Sequence, residues 1–166
     1  MMKILWLKNN LLHPLDTGGR IRTYNMLCAI RKNHEVHYVT FADPEREREA
    51  ISRAEEYCHR LFHVGPLRLP DKQSIAYYAK VLFTLLDPDP LTVTSYKSRA
   101  MRRLVTELSS GGGYDVVVAD FLAICLNAPE HLGIPRVHFS HNVEAMIWKR
   151  HVETERNPLK RLVFSR

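Results

Sequence analysis

Apolar residues in this chain come in short unbroken runs separated by stretches of helical period, and the two alternate from one end to the other. Lys3 to Leu7 is the first run, fit for a buried parallel strand, and Ile21, Tyr24, Leu27, Cys28 and Ile30 then recur at helical spacing. Glu35 to Phe41 predicts a second strand. Pro44 to Arg60 predicts a helix rich in Arg and Glu, with Asp43 as N-cap and Pro44 at the first helical position. Leu61 to Val64 is a brief third strand and Gly65 to Asp71 a Pro-containing loop. Lys72 to Leu86 predicts a helix with Tyr77, Val81 and Leu85 on one face, stopped by Asp87-Pro88-Asp89-Pro90. Ser95 to Leu108 predicts a basic amphipathic helix, with Met101, Leu104, Val105 and Leu108 inward and Lys97, Arg99, Arg102 and Arg103 outward. Gly111-Gly112-Gly113 ends it. Tyr114 to Ala119 is continuous and β-branched, as an interior parallel strand should be, and Asp120 sits at its carboxyl end. A short helical stretch, Phe121 to His131, leads through Gly133 and Pro135 to a last strand, Arg136 to Phe139. This alternation predicts an α/β fold: a doubly wound parallel sheet with helices on both faces.

With 45% apolar residues in 166, the chain can bury one good core, so residues 1–166 are expected to form one domain. No apolar run reaches the roughly 18 residues that would suggest a membrane span. Met1-Met2-Lys3 leads straight into a strand pattern rather than a signal peptide, so a cytoplasmic location is expected. Cys28, Cys58 and Cys125 are odd in number and widely spaced, which suggests neither a disulfide framework nor a zinc site. A net charge of +6 favours anionic partners, yet it is not gathered into a stripe with interleaved aromatics, and no nucleic-acid partner is expected.

The chemistry-bearing candidates fall at strand ends. Gly18-Gly19 marks the corner between the first strand and the first helix. Without a Cβ the backbone there can approach a ligand closely, and the free N–H groups of the first helical turn suit an anion such as phosphate. Arg20 would add a bidentate donor. The same pair is equally readable as a plain tight corner with a solvated Arg20, since Gly-Gly is far less specific than a P-loop or dinucleotide fingerprint. Asp120 serves two readings, a bond to a sugar hydroxyl or a helix N-cap. His141, just beyond the last strand and followed by Asn142, Val143 and Glu144, is the candidate for proton transfer or donation near neutral pH. Its rivals His13, His34, His37, His59, His63, His131, His138 and His151 are scattered. Glu144 could hold His141 or, the more ordinary role, favour the start of the next helix. In open α/β sheets ligands bind outside the carboxyl ends of the strands, so the glycine turn, Asp120 and His141 could converge on one crevice. P-loop, Gly-x-Gly-x-x-Gly, Gly-x-Ser-x-Gly and His-Glu-x-x-His patterns are all missing, which disfavours the chemistry each carries.

Lys3-Ile4-Leu5-Trp6-Leu7, Pro14 to Asn25 (Pro-Leu-Asp-Thr-Gly-Gly-Arg-Ile-Arg-Thr-Tyr-Asn), His34-Glu35-Val36, Tyr114 to Val118, and Gly133-Ile134-Pro135 leading to His141-Asn142-Val143-Glu144 together resemble family 4 glycosyltransferases of the GT-B fold. The resemblance runs in order along the whole chain. It implies the N-terminal, Rossmann-like, acceptor-binding half of a retaining hexosyltransferase that moves a sugar from a nucleotide-sugar, UDP- or GDP-linked, to a glycan or lipid-linked acceptor in polysaccharide assembly. By the same resemblance Gly18, Gly19 and Arg20 form the loop near the donor diphosphate, His141 lies next to the reacting sugar, and Asp120, Asn142 and Glu144 lie on the acceptor side. No metal and no covalently bound cofactor is implied. Family members are about twice this length, so a C-terminal donor-binding domain, in cis or as a separate chain, is expected to complete the site, and the 166 residues alone are expected to be inactive.

The competing function is a non-catalytic module that binds a sugar phosphate or a protein on the same fold. A flavodoxin-like nucleotide binder is the weaker third. The basic residues of the amphipathic helix, with Lys149, Arg150, Lys160 and Arg161, read as solvated faces, with peripheral contact to anionic lipid at the inner face of the membrane as the lesser reading.

Overall fold

A computed structural model describes residues 1–67, 74, 91–111, 113–131, 133–140, 144–157 and 161. Strand β1 (Lys3–Leu7) leads through a ten-residue loop to helix α1 (Gly18–Ile30), followed by β2 (Glu35–Phe41). Helix α2 (Arg48–Ser52) runs into a 3-10 turn (Arg53–Glu56) before β3 (Arg60–Val64). Then come α3 (Leu91–Thr94), α4 (Arg99–Gly111), β4 (Val116–Asp120), α5 (Leu122–Cys125), β5 (Arg136–Phe139) and α6 (Glu144–Thr154). The five strands form one parallel sheet in the order β3-β2-β1-β4-β5. The chain therefore winds outward from β1 on one side, then crosses to β4 and β5 on the other. The fold is α/β and Rossmann-like, as the alternation of patterns predicts.

Register explains why the central strands carry apolar residues on both faces. Ile4, Val36 and Val116 form one row across the sheet, and Trp6, Tyr38 and Val118 the next such row on the same face. These pack with Leu27 of α1 and with Ala54, Tyr57 and Cys58 beyond α2. The alternate rows, Leu5 with Val117 and Leu7 with Val39 and Ala119, pack against Met101 and Val105 of α4 and Ile124 of α5. Leu5, Leu7, Val36 and Val39 are completely enclosed, each contributing about 1.5–3 kcal/mol of burial.

Three expectations need correction. The helix expected over Pro44 to Arg60 is a turn, a five-residue helix and a 3-10 turn. Asp43 is not the cap of that helix, which starts at Arg48 after Glu47; its carboxylate instead accepts the N–H groups of Glu45 and Arg46 at 3.1 and 3.3 Å and holds the preceding turn. Where the 3-10 turn ends, Arg31 donates to the carbonyls of Glu55 and Glu56 at 2.5 and 2.7 Å. The helix expected from Ser95 begins instead after Ser98, whose hydroxyl accepts the Met101 N–H at 3.3 Å as an N-cap. The stretch expected to be helical from Phe121 to His131 is helical only over Leu122–Cys125. The helix expected over Lys72 to Leu86 lies, Ser74 apart, outside the described residues. No described helix is long and apolar enough to cross a membrane.

Candidate functional site

The crossing of the chain from one half of the sheet to the other leaves a crevice between the carboxyl ends of β1 and β4. The last paired residues are Leu7 and Ala119, so the next two, Lys8 and Asp120, stand side by side. Both are buried, Lys8 at 1% and Asp120 at 0% exposure, and they form an ion pair at 2.9 Å. Asp120 Oδ2 also accepts from the Thr23 hydroxyl at 2.8 Å and from Trp6 Nε1 at 3.1 Å. Lys8 donates to Thr23 Oγ1 at 3.2 Å. One carboxylate oxygen thus joins β1, α1 and β4. Burial pushes the Lys8 pKa down and the Asp120 charge opposes that shift.

Helix α1 starts directly in front of this network. Its N-cap residue, Thr17, makes no side-chain hydrogen bond to the first turn, and that turn contains no acidic residue. The N–H groups of Gly18, Gly19 and Arg20 lie at the positive end of the helix dipole. A Cβ on Gly18 would meet nothing within 4 Å, whereas one on Gly19 would lie 3.2 Å from Cζ of Phe121. Only the second glycine is required by a close approach. Phe121 itself has φ 77° and ψ 150°, a region almost confined to glycine, at a cost of about 1–3 kcal/mol. Its ring also lies 4.3 Å from the Lys8 ammonium, within range of a cation–π contact.

The loop between β1 and α1 is pinned along its length. Leu11, Leu12 and His13 are buried, and the Tyr38 hydroxyl donates to the Asn10 carbonyl at 2.8 Å. Glu56 gathers Arg53 at 2.7 Å, Tyr24 at 2.8 Å and His13 at 3.1 Å. The bonds from Arg53 and Tyr24 draw the Glu56 pKa down to about 2, and the bond to Glu56 pushes Tyr24 up to about 12. Arg20 turns back onto this loop, bonding Asp16 at 2.8 Å and the Pro14 carbonyl at 3.2 Å. Beside the loop, a cavity of about 250 Å³ opens at the carboxyl ends of β1, β2 and β3, with Asn9, Asn10, Phe41, Glu47, Leu67 and Tyr96 in its wall.

Among the expected site residues, the glycine turn and Asp120 come together, and Arg20 follows on the same turn with its guanidinium braced against Asp16. Asp120 is the last residue of β4 and not a helix cap; Phe121 occupies the position before α5. Glu144 is the first residue of α6. His141 and Asn142 lie outside the described residues, just beyond Phe139, whose register partner is Asp120. Sequence reasoning missed Lys8, Thr23, Trp6 and Phe121. A lysine placed straight after an all-apolar strand was the available signal, because lysine is almost never fully buried without a partner. No group of three His, Cys, Asp or Glu that could hold a metal occurs among the described residues.

No family model and no curated protein matches this chain. Among solved structures, two of the C-terminal domain of a hydrogenase from Pyrococcus furiosus are similar at 15% identity. One covers 83% of this chain and 91% of that one with a TM-score of 0.45, the other 84% and 91% with a TM-score of 0.47. A ugt transferase from Siraitia grosvenorii in complex with UDP is similar at 12% identity over 92% of this chain and 30% of that one, with a TM-score of 0.45. A fold shared in this way does not carry chemistry with it.

Proposed function

We propose that this chain is the acceptor-side half of a retaining glycosyltransferase, transferring a hexosyl group from a UDP- or GDP-sugar to a glycan or lipid-linked acceptor once a donor-binding domain closes the crevice. The observation that carries the reading is the α1 turn, whose Gly18 and Gly19 N–H groups lack a side-chain cap from Thr17 and stand at the carboxyl ends of β1 and β4. Donors held in place before the reaction stabilise the negative charge that grows on a leaving diphosphate without any reorganisation. Arg20 stands on the same turn and would reach the diphosphate by exchanging its present partner, Asp16. His141, following β5, is assigned to the reacting sugar, and Asn142 and Glu144 to the acceptor. Asp120 is wholly enclosed beneath the turn, so it serves the acceptor side by fixing Lys8, Trp6 and Thr23 in place and not by touching the acceptor. The cavity beside Asn9 and Tyr96 offers amide, carboxylate and phenol groups to the hydroxyls of an acceptor sugar.

The test is transfer from UDP- and GDP-sugars by the chain alone and joined to the remainder of its reading frame, each beside His141→Ala. Transfer confined to the longer form, falling by about 100-fold or more in the variant while nucleotide-sugar still binds, is the expected result. Neither transfer nor nucleotide-sugar binding in either form would sink the proposal and leave a non-catalytic module.

A further inference from the structure

The geometry points to Phe121 as a positioning residue that holds the Gly18-Gly19 turn in its anion-accepting shape, an inference resting on the glycosyl-transfer reading for its ligand but not for its geometry. Three observations converge on this side chain. Its backbone takes a conformation that nearly every other residue type avoids, at φ 77° and ψ 150°. Strain of that kind persists only where the surroundings over-determine it, and it concentrates at sites. The strained backbone sends the ring to Gly19, where Cζ would lie 3.2 Å from an added Cβ and Cε2 3.5 Å from it. The ring cannot easily swing aside, because the Lys8 ammonium lies 4.3 Å from its centroid and is itself tied to Asp120 and Thr23 at 2.9 and 3.2 Å. The Phe121 N–H is bound as well, to the Phe139 carbonyl at 3.0 Å.

The consequence is a wall behind the turn. Glycine at 19 leaves room for the ring, since an added Cβ would crowd Cζ at 3.2 Å and force one of them to shift, and the ring then restricts the freedom that two successive glycines would otherwise give the turn. A mobile turn would have to be ordered by each arriving diphosphate, which lowers affinity; a fixed one presents its N–H groups ready. Phe121 touches no substrate in this scheme. It acts through Gly19.

The experiment is backbone NMR on the 166-residue chain as wild type, Phe121→Gly, Phe121→Leu and Gly19→Ala, with titrations of inorganic pyrophosphate and of UDP. In the wild type the Gly18 and Gly19 amides should show order parameters near about 0.85, and in Phe121→Gly they should fall toward about 0.6, while amides of β1 and β4 keep their wild-type values. Affinity for pyrophosphate should drop roughly tenfold in Phe121→Gly and in Gly19→Ala, and only about threefold in Phe121→Leu, which keeps most of the bulk. Unchanged order at Gly18 and Gly19 in both Phe121 variants overturns the inference even if either variant loses stability. If no wild-type amide of the turn responds to pyrophosphate or UDP, the glycosyl-transfer reading of the turn fails, and the order parameters alone decide whether Phe121 holds it.

Discussion

The two ends of the same sheet carry buried polar networks of opposite character. At the carboxyl end, Lys8 and Asp120 form an ion pair with both side chains almost wholly removed from water, closed over by Trp6, Thr23 and Phe121. At the amino end, His37 is also buried, and its Nε2–H donates to Glu35 at 2.8 Å while its Nδ1 accepts from the Tyr114 hydroxyl at 2.6 Å. There the charges sit at the rim: Glu35 is about one-third exposed, and Lys3 approaches it at 3.8 Å and lies over the Tyr114 ring at 5.0 Å. Buried charge costs far more than a buried neutral pair. The protein accepts that cost only at the end where α1 presents its first turn, and there it adds a strained backbone. Stability alone does not call for such an arrangement, since apolar replacements of a buried ion pair often hold a fold as well or better. Fixing a site does.

The largest effect that can break this contrast comes from removing one charge. Lys8→Met leaves the Asp120 carboxyl group enclosed without its partner charge, and should cost about 3–5 kcal/mol in urea unfolding. Lys8→Met with Asp120→Leu removes both charges and should recover most of that loss. If the single and double variants unfold alike, the pair is not an isolated buried charge network and the two ends do not differ in kind.

At the other end, Tyr114→Phe should cost about 1–3 kcal/mol, because His37 Nδ1 is left as a buried acceptor without its donor. A loss as large as that of Lys8→Met would show that the amino end is also a charged network, with an imidazolium hidden inside it. Burial raises the Tyr114 pKa to about 12, so the phenol stays protonated at any ordinary pH and the bond keeps its donor.

These networks also mark where sequence reading stops. The central strands were legible because burial on both faces leaves an unbroken apolar run, as in Val116 to Ala119, and the end of that run locates Asp120. The partner of Lys8 was illegible because it is 112 positions away; only the pairing of Leu7 with Ala119 makes the two neighbours. The tie between Arg31 and the carbonyls of Glu55 and Glu56 beyond α2 was hidden for the same reason, since it joins positions distant in sequence. Phe121 contradicts its own local signal, for a position at φ 77° asks for glycine. The glycine turn itself was readable, but which glycine is needed was not: Gly18 has open space and Gly19 has the ring.

The smallest effect concerns pH. Burial lowers the His37 pKa from its ordinary 6.5, and the neighbouring Lys3 and Arg60 charges act in the same direction, against the raising effect of Glu35. The unfolded chain therefore binds the proton more readily than the folded one in the interval below 6.5. The associated stability is present in full above that pH and is lost as pH falls through the lowered folded value. An NMR titration of the His37 ring should place its midpoint below 6.5, and urea midpoints should decline across the same interval more steeply in wild type than in His37→Gln. A midpoint above 6.5 would mean that Glu35 dominates and that the amino end, too, stores a charge. Lys8→Met should leave this titration unmoved, because its network lies at the opposite end of the strands; a shift there would show that the sheet couples its two ends and that the contrast between them is not a local one.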